Sequence, residues 1–221
     1  MRTLILLTVL AFSSIDSLYA QSKYLDSTRT TFSFGGSVGS SEDAFLTSIG
    51  GTLTLKGALD FGIQIGSVKS KKNITDDEIS RSLVDEGSLG TSFSAQAYLY
   101  MLNQNRGNNI NFGLSLGGSS IFYDEAGLNS MVAGFHLSRR ETEDDLTSVT
   151  FSFEPLFVII NELTITESGR TLTSQPFFSG SISIGFSKKL KDSKVFFFEP
   201  GIVYENESQS VFGGLTIGLI L

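Results

Sequence analysis

The sequence has no cysteine, no tryptophan, three prolines and one histidine among 221 residues. Without cysteine there are no disulfide scaffolds, no thiol catalysis and no thiolate-bound zinc or iron-sulfur sites. Sixteen Lys and Arg residues against 23 Asp and Glu residues give a net charge of −7, and the basic residues form no cluster. We therefore expect no nucleic-acid partner.

Long apolar runs are also scarce. The run over residues 4–12 follows Arg2 and is followed by Ser13, Ser14 and then Ala20. It is too short for the roughly 20 residues of a membrane-spanning helix, and its flanks are typical of a secretory signal peptide. We predict a cleaved signal peptide over residues 1–20 and a short amino-terminal segment over residues 21–29.

What the chain does contain is glycine, phenylalanine and a period of two. Leu59, Phe61 and Ile63 alternate with small or polar residues, and the same pattern recurs from residue 30 onward. Alternation over about ten residues predicts half-buried strands. We expect ten of them, over residues 30–38, 46–55, 58–68, 91–102, 109–121, 130–139, 147–160, 176–188, 194–204 and 210–221.

The polar face of these segments is mostly Gly and Ser, and the Lys and Arg residues lie mainly in the connections. This distribution suits strands whose apolar side chains face lipid and whose polar side chains face a lumen. The connections after odd-numbered strands include the two longest, 69–90 and 161–175, as expected for external loops opposite short turns. The prediction is an all-β, antiparallel up-and-down transmembrane barrel over residues 30–221, with eight or twelve strands as alternatives.

Two strand cores repeat a Phe-Glu-Pro pattern, over residues 151–155 and 196–200, and the last strand ends at Leu221. With the signal peptide and the Gly-rich alternation, these features make the chain resemble the porin-family outer-membrane β-barrel proteins of Gram-negative bacteria. Members usually end in an aromatic residue that the barrel-assembly machinery reads, and Leu221 stands in that place. The resemblance implies an outer-membrane location, contact with outer-membrane lipid and insertion by that machinery.

Strand parity predicts which polar side chains face the lumen, because a carboxylate facing lipid would be costly. Glu154 and Glu199 could form an acid and base pair, although a structural polar network is the better expectation. We expect no catalytic residue, no metal site and no cofactor. The predicted lumen-facing polar residues are Asp60, Gln64, Gln96, Tyr98, Tyr100, His136, Glu154 and Glu199.

These observations predict a small outer-membrane barrel that is structural or forms a narrow passive pore with a polar lumen, and that is not an enzyme. One alternative is a secreted lipocalin-like ligand-binding barrel, which would be polar outside and apolar inside. A barrel enzyme is the other alternative. The connection over residues 69–90 carries both charges and is the expected contact surface for an external partner, whose identity is unknown.

Overall fold

The computed structural model describes residues 30–76, 81–123, 126–142, 146–166, 169–190, 194–206 and 210–221. The predicted signal peptide, residues 1–20, and the segment 21–29 lie outside the described residues. Among those that are described, we find no helix with the length and hydropathy that a membrane span requires.

Twelve strands and one short 3-10 turn, Gln104–Arg106, account for the secondary structure of the described chain. Ten of the strands close into one barrel, in the order β1-β12-β11-β10-β9-β8-β7-β6-β3-β2, and the other two form a small hairpin, β4-β5. The strands are β1 Thr31–Ser40, β2 Ala44–Leu55, β3 Leu59–Ser70, β4 Ile74–Asp76, β5 Arg81–Val84, β6 Leu89–Leu102, β7 Asn111–Phe122, β8 Ala126–Thr142, β9 Thr147–Thr166, β10 Gly169–Lys189, β11 Val195–Glu205 and β12 Ser210–Ile220.

Each barrel strand is antiparallel to both neighbours, and β1 closes the barrel against β12 from Ser33 opposite Ile220 to Ser40 opposite Gly213. An even number of strands is what allows the first and last strands to pair antiparallel. The ten-strand prediction is confirmed, and the alternatives of eight and twelve barrel strands are wrong. We call the end that carries the β3–β6 connection the loop end, and the end that carries the β2–β3 connection the turn end.

The prediction of a loop over residues 161–175 is wrong. β9 continues to Thr166 and β10 begins at Gly169, and the two strands stay paired in one register from Gly169 opposite Thr166 to Lys188 opposite Thr147. Large apolar residues are sparse there, but Thr is common. β-branched residues favour extended backbone without needing an apolar surface, so the hairpin extends beyond the apolar part of the wall.

The described residues of the region 69–90 contain more regular structure than the expected loop. Its first two residues belong to β3, its last two to β6, and it contains the β4-β5 hairpin. Val84, at the end of β5, is buried in the main apolar cluster of the molecule. The connection therefore contributes a side chain to the barrel core.

The two Phe-Glu-Pro repeats coincide with local gaps in strand pairing. Between β8 and β9 the pairs stop at Gly134–Leu156 and resume at Leu137–Phe153 without a change of register. The same happens between β10 and β11, from Ser183–Gly201 to Phe186–Phe198. Proline has no N–H for the sheet ladder, so Pro155 and Pro200 interrupt it on one side only. They cause no register shift there.

Candidate functional site in the barrel interior

The interior of the barrel contains all eight side chains that parity assigned to the lumen. Each is at most 6% exposed, from 0% for Asp60 to 6% for Tyr100. The residues next to them along the strands lie on the outer face. On β3, Phe61 follows Asp60 and Ile63 precedes Gln64, and these two side chains are 49% and 50% exposed. The eight side chains do not form one site, because they divide among three groups at different places on the wall.

The first group, the Glu154 cluster, comprises Gln96, Tyr98, Tyr100, His136 and Glu154. The Tyr98 hydroxyl donates to Glu154 Oε2 at 3.0 Å, and Gln96 Nε2 donates to the Tyr98 oxygen at 2.7 Å and to Glu154 Oε1 at 3.4 Å. His136 Nδ1 lies 3.7 Å from Glu154 Oε2, a contact that becomes an ion pair when the imidazole is protonated.

Aromatic contacts hold the imidazole of His136 in place. Its ring meets Tyr98 edge-on at 5.4 Å between centroids and Tyr100 edge-on at 5.8 Å. The two tyrosine rings are stacked at 6.3 Å. Such contacts add to the stability that burial of the rings provides. The Glu154 cluster therefore fills the middle of the barrel with side chains that fix one another.

The second group lies on β1, β2 and β3. Thr54 Oγ1 donates to Asp60 Oδ1 at 2.6 Å, Ser37 and Ser48 share a hydrogen bond of 2.5 Å, and Gln64 Nε2 approaches Ser37 Oγ at 3.4 Å. Short hydroxyl side chains on one strand thus form hydrogen bonds with a longer polar side chain on a nearby strand. This satisfies buried polar groups without a wide lumen.

The third group surrounds Glu199 on β11. The Ser183 hydroxyl donates to Glu199 Oε1 in a short hydrogen bond. Beside them is a cavity of about 30 Å³, which is room for about one water molecule. The inward polar side chains that line it are Ser37, Ser181, Ser183, Glu199 and Thr216.

The loop end of the interior is apolar, so the inward polar side chains that the sequence predicted occupy only part of the barrel. We name the buried apolar side chains of this end the loop-end plug. The alternation of inward and outward positions continues here, but the inward positions change from Ser and Gln to aliphatic and aromatic residues. The loop end is therefore apolar because of the residue types on its inner face. The plug consists of Ala44, Leu46, Val68, Val84, Ile121, Leu128, Val132, Leu156, Val158, Ile160, Phe177, Val203 and Phe212, with the half-buried Tyr123 against it.

Glycines make room for the inward rings. A Cβ atom on Gly39 would lie 1.9 Å from the ring of Phe212, and one on Gly218 would lie 2.4 Å from the ring of Phe197. Tyr123 covers Gly90 in the same way, and its burial raises the pKa of the Tyr123 hydroxyl. Each ring fills space that a larger residue opposite would occupy, which is the packing of a filled interior.

The turn end of the barrel has a second set of contacts. Gln104, in the 3-10 turn, accepts a hydrogen bond from the Arg140 backbone N–H at 2.8 Å and donates to the Arg140 carbonyl at 3.1 Å. The backbone N–H of Gln104 donates to Asn111 Oδ1 at 2.7 Å, and Asn103 donates to the Gly57 carbonyl. A small apolar group, Val195, Phe197 and Ile220, is buried at the same end.

Two lysines fasten the long connection to the β1–β2 loop. Lys71 Nζ donates to Ser40 Oγ at 2.6 Å and to the Ser41 carbonyl at 2.7 Å. Lys72 Nζ lies 2.7 Å from Asp43 and 3.6 Å from Glu42. The hydrogen bond to Asp43 and the attraction of its charge raise the pKa of Lys72. These contacts hold the connection that carries Val84 over the loop end.

The two carboxylates of the suggested acid and base pair have different partners. Glu154 and Glu199 belong to different groups, with Tyr98, Gln96 and His136 around the first and Ser183 beside the second. In the ranges that the structure describes, no three His, Cys, Asp or Glu residues come together as a metal site. Sequence reasoning did not identify the hydroxyls of Ser37, Ser48 and Thr216 as site residues. Their position on the small polar face was the available signal, but parity does not show which of them meet.

Comparisons with known proteins return structures only. No protein-family model matches the chain, and no curated protein matches it. The translocator domain of the autotransporter NalP from Neisseria meningitidis is 12% identical, with 96% of each chain covered and a TM-score of 0.48. The amino-terminal β-barrel domain of OprF from Pseudomonas aeruginosa is 13% identical over 87% of this chain and 100% of that chain, with a TM-score of 0.31. For the KdgM porin the identity is 12%, the coverage 85% and 97%, and the TM-score 0.33. None of these values carries functional information.

Proposed function

We propose that the protein is a small barrel of the outer membrane whose interior is closed by its own side chains, and that its role is structural. The single observation that carries this proposal is the combination of an apolar outer face with inward side chains that are buried from the turn end to the loop end. The outer face argues for lipid around the barrel. The interior argues against an open pore.

The outer face is apolar through the middle of the wall. On β3, Phe61, Ile63 and Ile65 are 49%, 50% and 54% exposed, and Lys69 follows near the loop end. From Leu59 to Lys69, at about 3.3 Å per residue and a tilt of about 40°, the strand rises about 25 Å, the height of the apolar band of outer-membrane barrels. Arg139 and Lys188, also exposed, lie near the turn end of their strands.

This polarity favours a membrane barrel over the secreted lipocalin-like alternative. A lipocalin-like barrel would place a polar face outward and would leave an apolar interior cavity for its ligand. Here large apolar side chains face outward, and Asp60, Gln96 and Glu154 are buried inside. In water, an exposed apolar surface of this extent would cause association.

Location is tested by cell fractionation and by mobility on a gel with and without heating. We expect the protein in the outer-membrane fraction, with a folded form that migrates differently from the boiled form. Recovery in the soluble periplasmic fraction would overturn the membrane proposal. In the proposed location the partners are outer-membrane lipid and, during insertion, the barrel-assembly machinery.

The closed interior is tested in a planar bilayer. We expect no stepwise conductance from the native protein, because the Glu154 cluster and the loop-end plug lie one above the other in the barrel. The double variant Tyr98→Ala with Phe212→Ala removes one large ring from each, and we expect it to conduct small cations.

The matched control is Phe61→Ala with Phe178→Ala, which removes two rings from the outer face and should remain silent. Stable, large currents from the native protein would show that the side chains do not close the barrel. The connection over residues 69–90 remains our proposed contact surface for an external partner, because it lies at the loop end and carries both charges. Glu154 and Glu199, in their separate groups, support a barrel without catalytic activity.

A further inference from the structure

Two lysines lie together on the outer face at the turn end, where β10 and β11 meet their connection. Lys188 stands opposite Phe196 in the register of the two strands, and the backbone N–H of Leu190 donates to the carbonyl of Lys194 at 2.7 Å. Lys188 and Lys194 therefore hold diagonal positions on one antiparallel pair, and such positions are about 7 to 8 Å apart. Leu190 and Phe196 occupy the other two corners, and all four side chains are exposed.

The two ammonium groups have no negative partner in the part of the chain that the structure describes. No carboxylate there forms an ion pair with Lys188 or Lys194. Glu141, near the turn end of β8, pairs with Arg139 at 2.5 Å. Two like charges this close repel each other, and an anion between them replaces the repulsion with two attractions. The pair of lysines therefore suits a ligand with a negative charge.

An apolar strip leads from the lysines toward the middle of the outer wall. The next outward residues on the two strands, Phe186 and Phe198, stand opposite each other, and their ring centroids are 6.3 Å apart. The two rings are 47% and 36% exposed. A ligand that contacts both the lysines and the rings needs a negative head group and a hydrocarbon tail. We propose that Lys188 and Lys194 bind the phosphate of an anionic phospholipid, whose acyl chains lie along Phe186 and Phe198.

The net charge of the head group determines which lipid binds. In phosphatidylcholine a quaternary ammonium neutralises the phosphate, whereas phosphatidylglycerol keeps a full negative charge. The hydrocarbon stems of the lysines can lie along Leu190 and Phe196 while the ammonium groups reach the phosphate. This inference rests on the proposed function, which surrounds the outer face with lipid, and it adds a preferred head group and the site that binds it.

Native mass spectrometry of the barrel in a neutral detergent tests this preference. Phosphatidylglycerol and phosphatidylcholine with the same acyl chains are added at equal concentrations, and the fraction of barrels that retains one lipid is measured. We expect phosphatidylglycerol to bind about 25-fold more tightly, because two lysines contribute about fivefold each. Inorganic phosphate in large excess should not displace it. Equal binding of the two lipids, or displacement by inorganic phosphate, would overturn the proposal.

Variants with equal changes in charge locate the site. Lys188→Gln with Lys194→Gln should abolish the preference for phosphatidylglycerol. The matched control is Lys56→Gln with Arg106→Gln, which removes two exposed cations from other connections at the same end, and it should retain the preference. Loss of the preference in both double variants would mean that the overall charge of the turn end attracts the lipid, and the assignment to Lys188 and Lys194 would be wrong.

A conservative variant separates charge from damage to the fold. Lys188→Arg with Lys194→Arg keeps both charges and should retain the preference, and a gel with and without heating shows whether each variant is folded. If the Gln double variant does not fold, Lys194→Gln alone should lower the preference about fivefold, and no change would overturn the proposal. Equal binding of the two lipids by the native protein would leave the membrane location standing, whereas recovery in the periplasmic fraction would overturn the location itself.

Discussion

The middle and the loop end of the barrel interior are lined by the same strands, but different kinds of side chain occupy them. In the middle, Glu154, Tyr98 and Gln96 fill the space with hydrogen-bonded side chains. At the loop end, Leu46, Ile121 and Phe212 fill it with apolar contacts. The difference shows that an inner face need not be polar throughout when side chains from opposite walls meet and exclude water.

The largest expected effect is at the loop end. Phe212→Ala should lower the free energy of unfolding by about 3 to 5 kcal/mol, because it leaves a cavity against Gly39 and Gly214 in a closely packed region. Denaturant titration of the barrel in lipid vesicles, followed by far-UV circular dichroism, measures the change. Phe61→Ala on the outer face is the control and should cost much less, because lipid replaces the ring. Equal losses would mean that the loop end is not packed as described.

The next largest expected effect on stability is in the middle of the barrel interior, in the Glu154 cluster. Glu154→Leu removes the acceptor of the Tyr98 hydroxyl and one of the two acceptors of Gln96 Nε2, and we expect a loss of about 1 to 3 kcal/mol for the Tyr98 hydrogen bond and less for that of Gln96. Glu154→Gln keeps one acceptor oxygen and should cost clearly less. The same titration measures both variants. If Glu154→Leu were as stable as the native protein, the polar groups of the middle would not depend on one another.

A pair of nearly isosteric exchanges compares the two regions directly. Val68→Thr buries a hydroxyl in the loop-end plug, and we expect a loss of about 1 to 3 kcal/mol. Thr54→Val in the polar part removes the hydrogen bond to Asp60, with an expected loss of about 1 to 3 kcal/mol because the carboxylate loses a donor. The converse result, a gain in stability from either exchange, would contradict the assignment of that region as apolar or polar.

The smallest effect concerns the contacts that hold the long connection over the loop end. The pKa of Lys72 is raised above its ordinary value of 10.5, chiefly by the hydrogen bond to Asp43. A raised pKa in the folded state means that the contact stabilises fully below pH 10.5 and is lost as the pH rises through the raised value. Because Lys72 is exposed, salt should also weaken the contact.

Lys72→Met should therefore accelerate cleavage within residues 69–90 by a protease of broad specificity, and added salt should accelerate cleavage of the native protein more than that of the variant. Lys69→Met, on the outer face of β3, is the control and should leave the cleavage rate unchanged. Identical rates for all three proteins at low salt would show that Lys72 does not hold the connection.

Much of the wall could be predicted from the sequence because strand parity is a local property. Leu59, Phe61 and Ile63 alternate with Asp60, Gly62 and Gln64, and a period of two leaves each set only one face. The number of strands followed from counting such segments. The end of β9 was missed, because the polar residues Asn161 and Glu162 interrupt the apolar pattern before Leu163 and Ile165.

The composition of the inner face could also be predicted from the sequence, but the contacts between its side chains could not. Parity alone assigned Glu154 and Glu199 to the same side of the wall, and the sequence repeat suggested a pair. Only the closed barrel shows that Glu154 meets Tyr98 from β6 and His136 from β8, whereas Glu199 meets Ser183. Tyr98 and Glu154 are 56 residues apart, and their distance depends on the register of every strand from β6 to β9. Ser183 and Glu199 are 16 residues apart, and their contact depends on the register between β10 and β11.

The sequence by itself determined where most of the strands lie, which of their residues face inward and which face outward, and that the exterior is apolar. This was possible because alternation and side-chain transfer energies are properties of individual residues. The tertiary structure alone decided which inward side chains meet. Val84 comes from a connection outside the barrel wall, and Phe212 fits over Gly39 only because β1 pairs with β12 in the observed register. Such contacts are long-range, and a local pattern contains none of them.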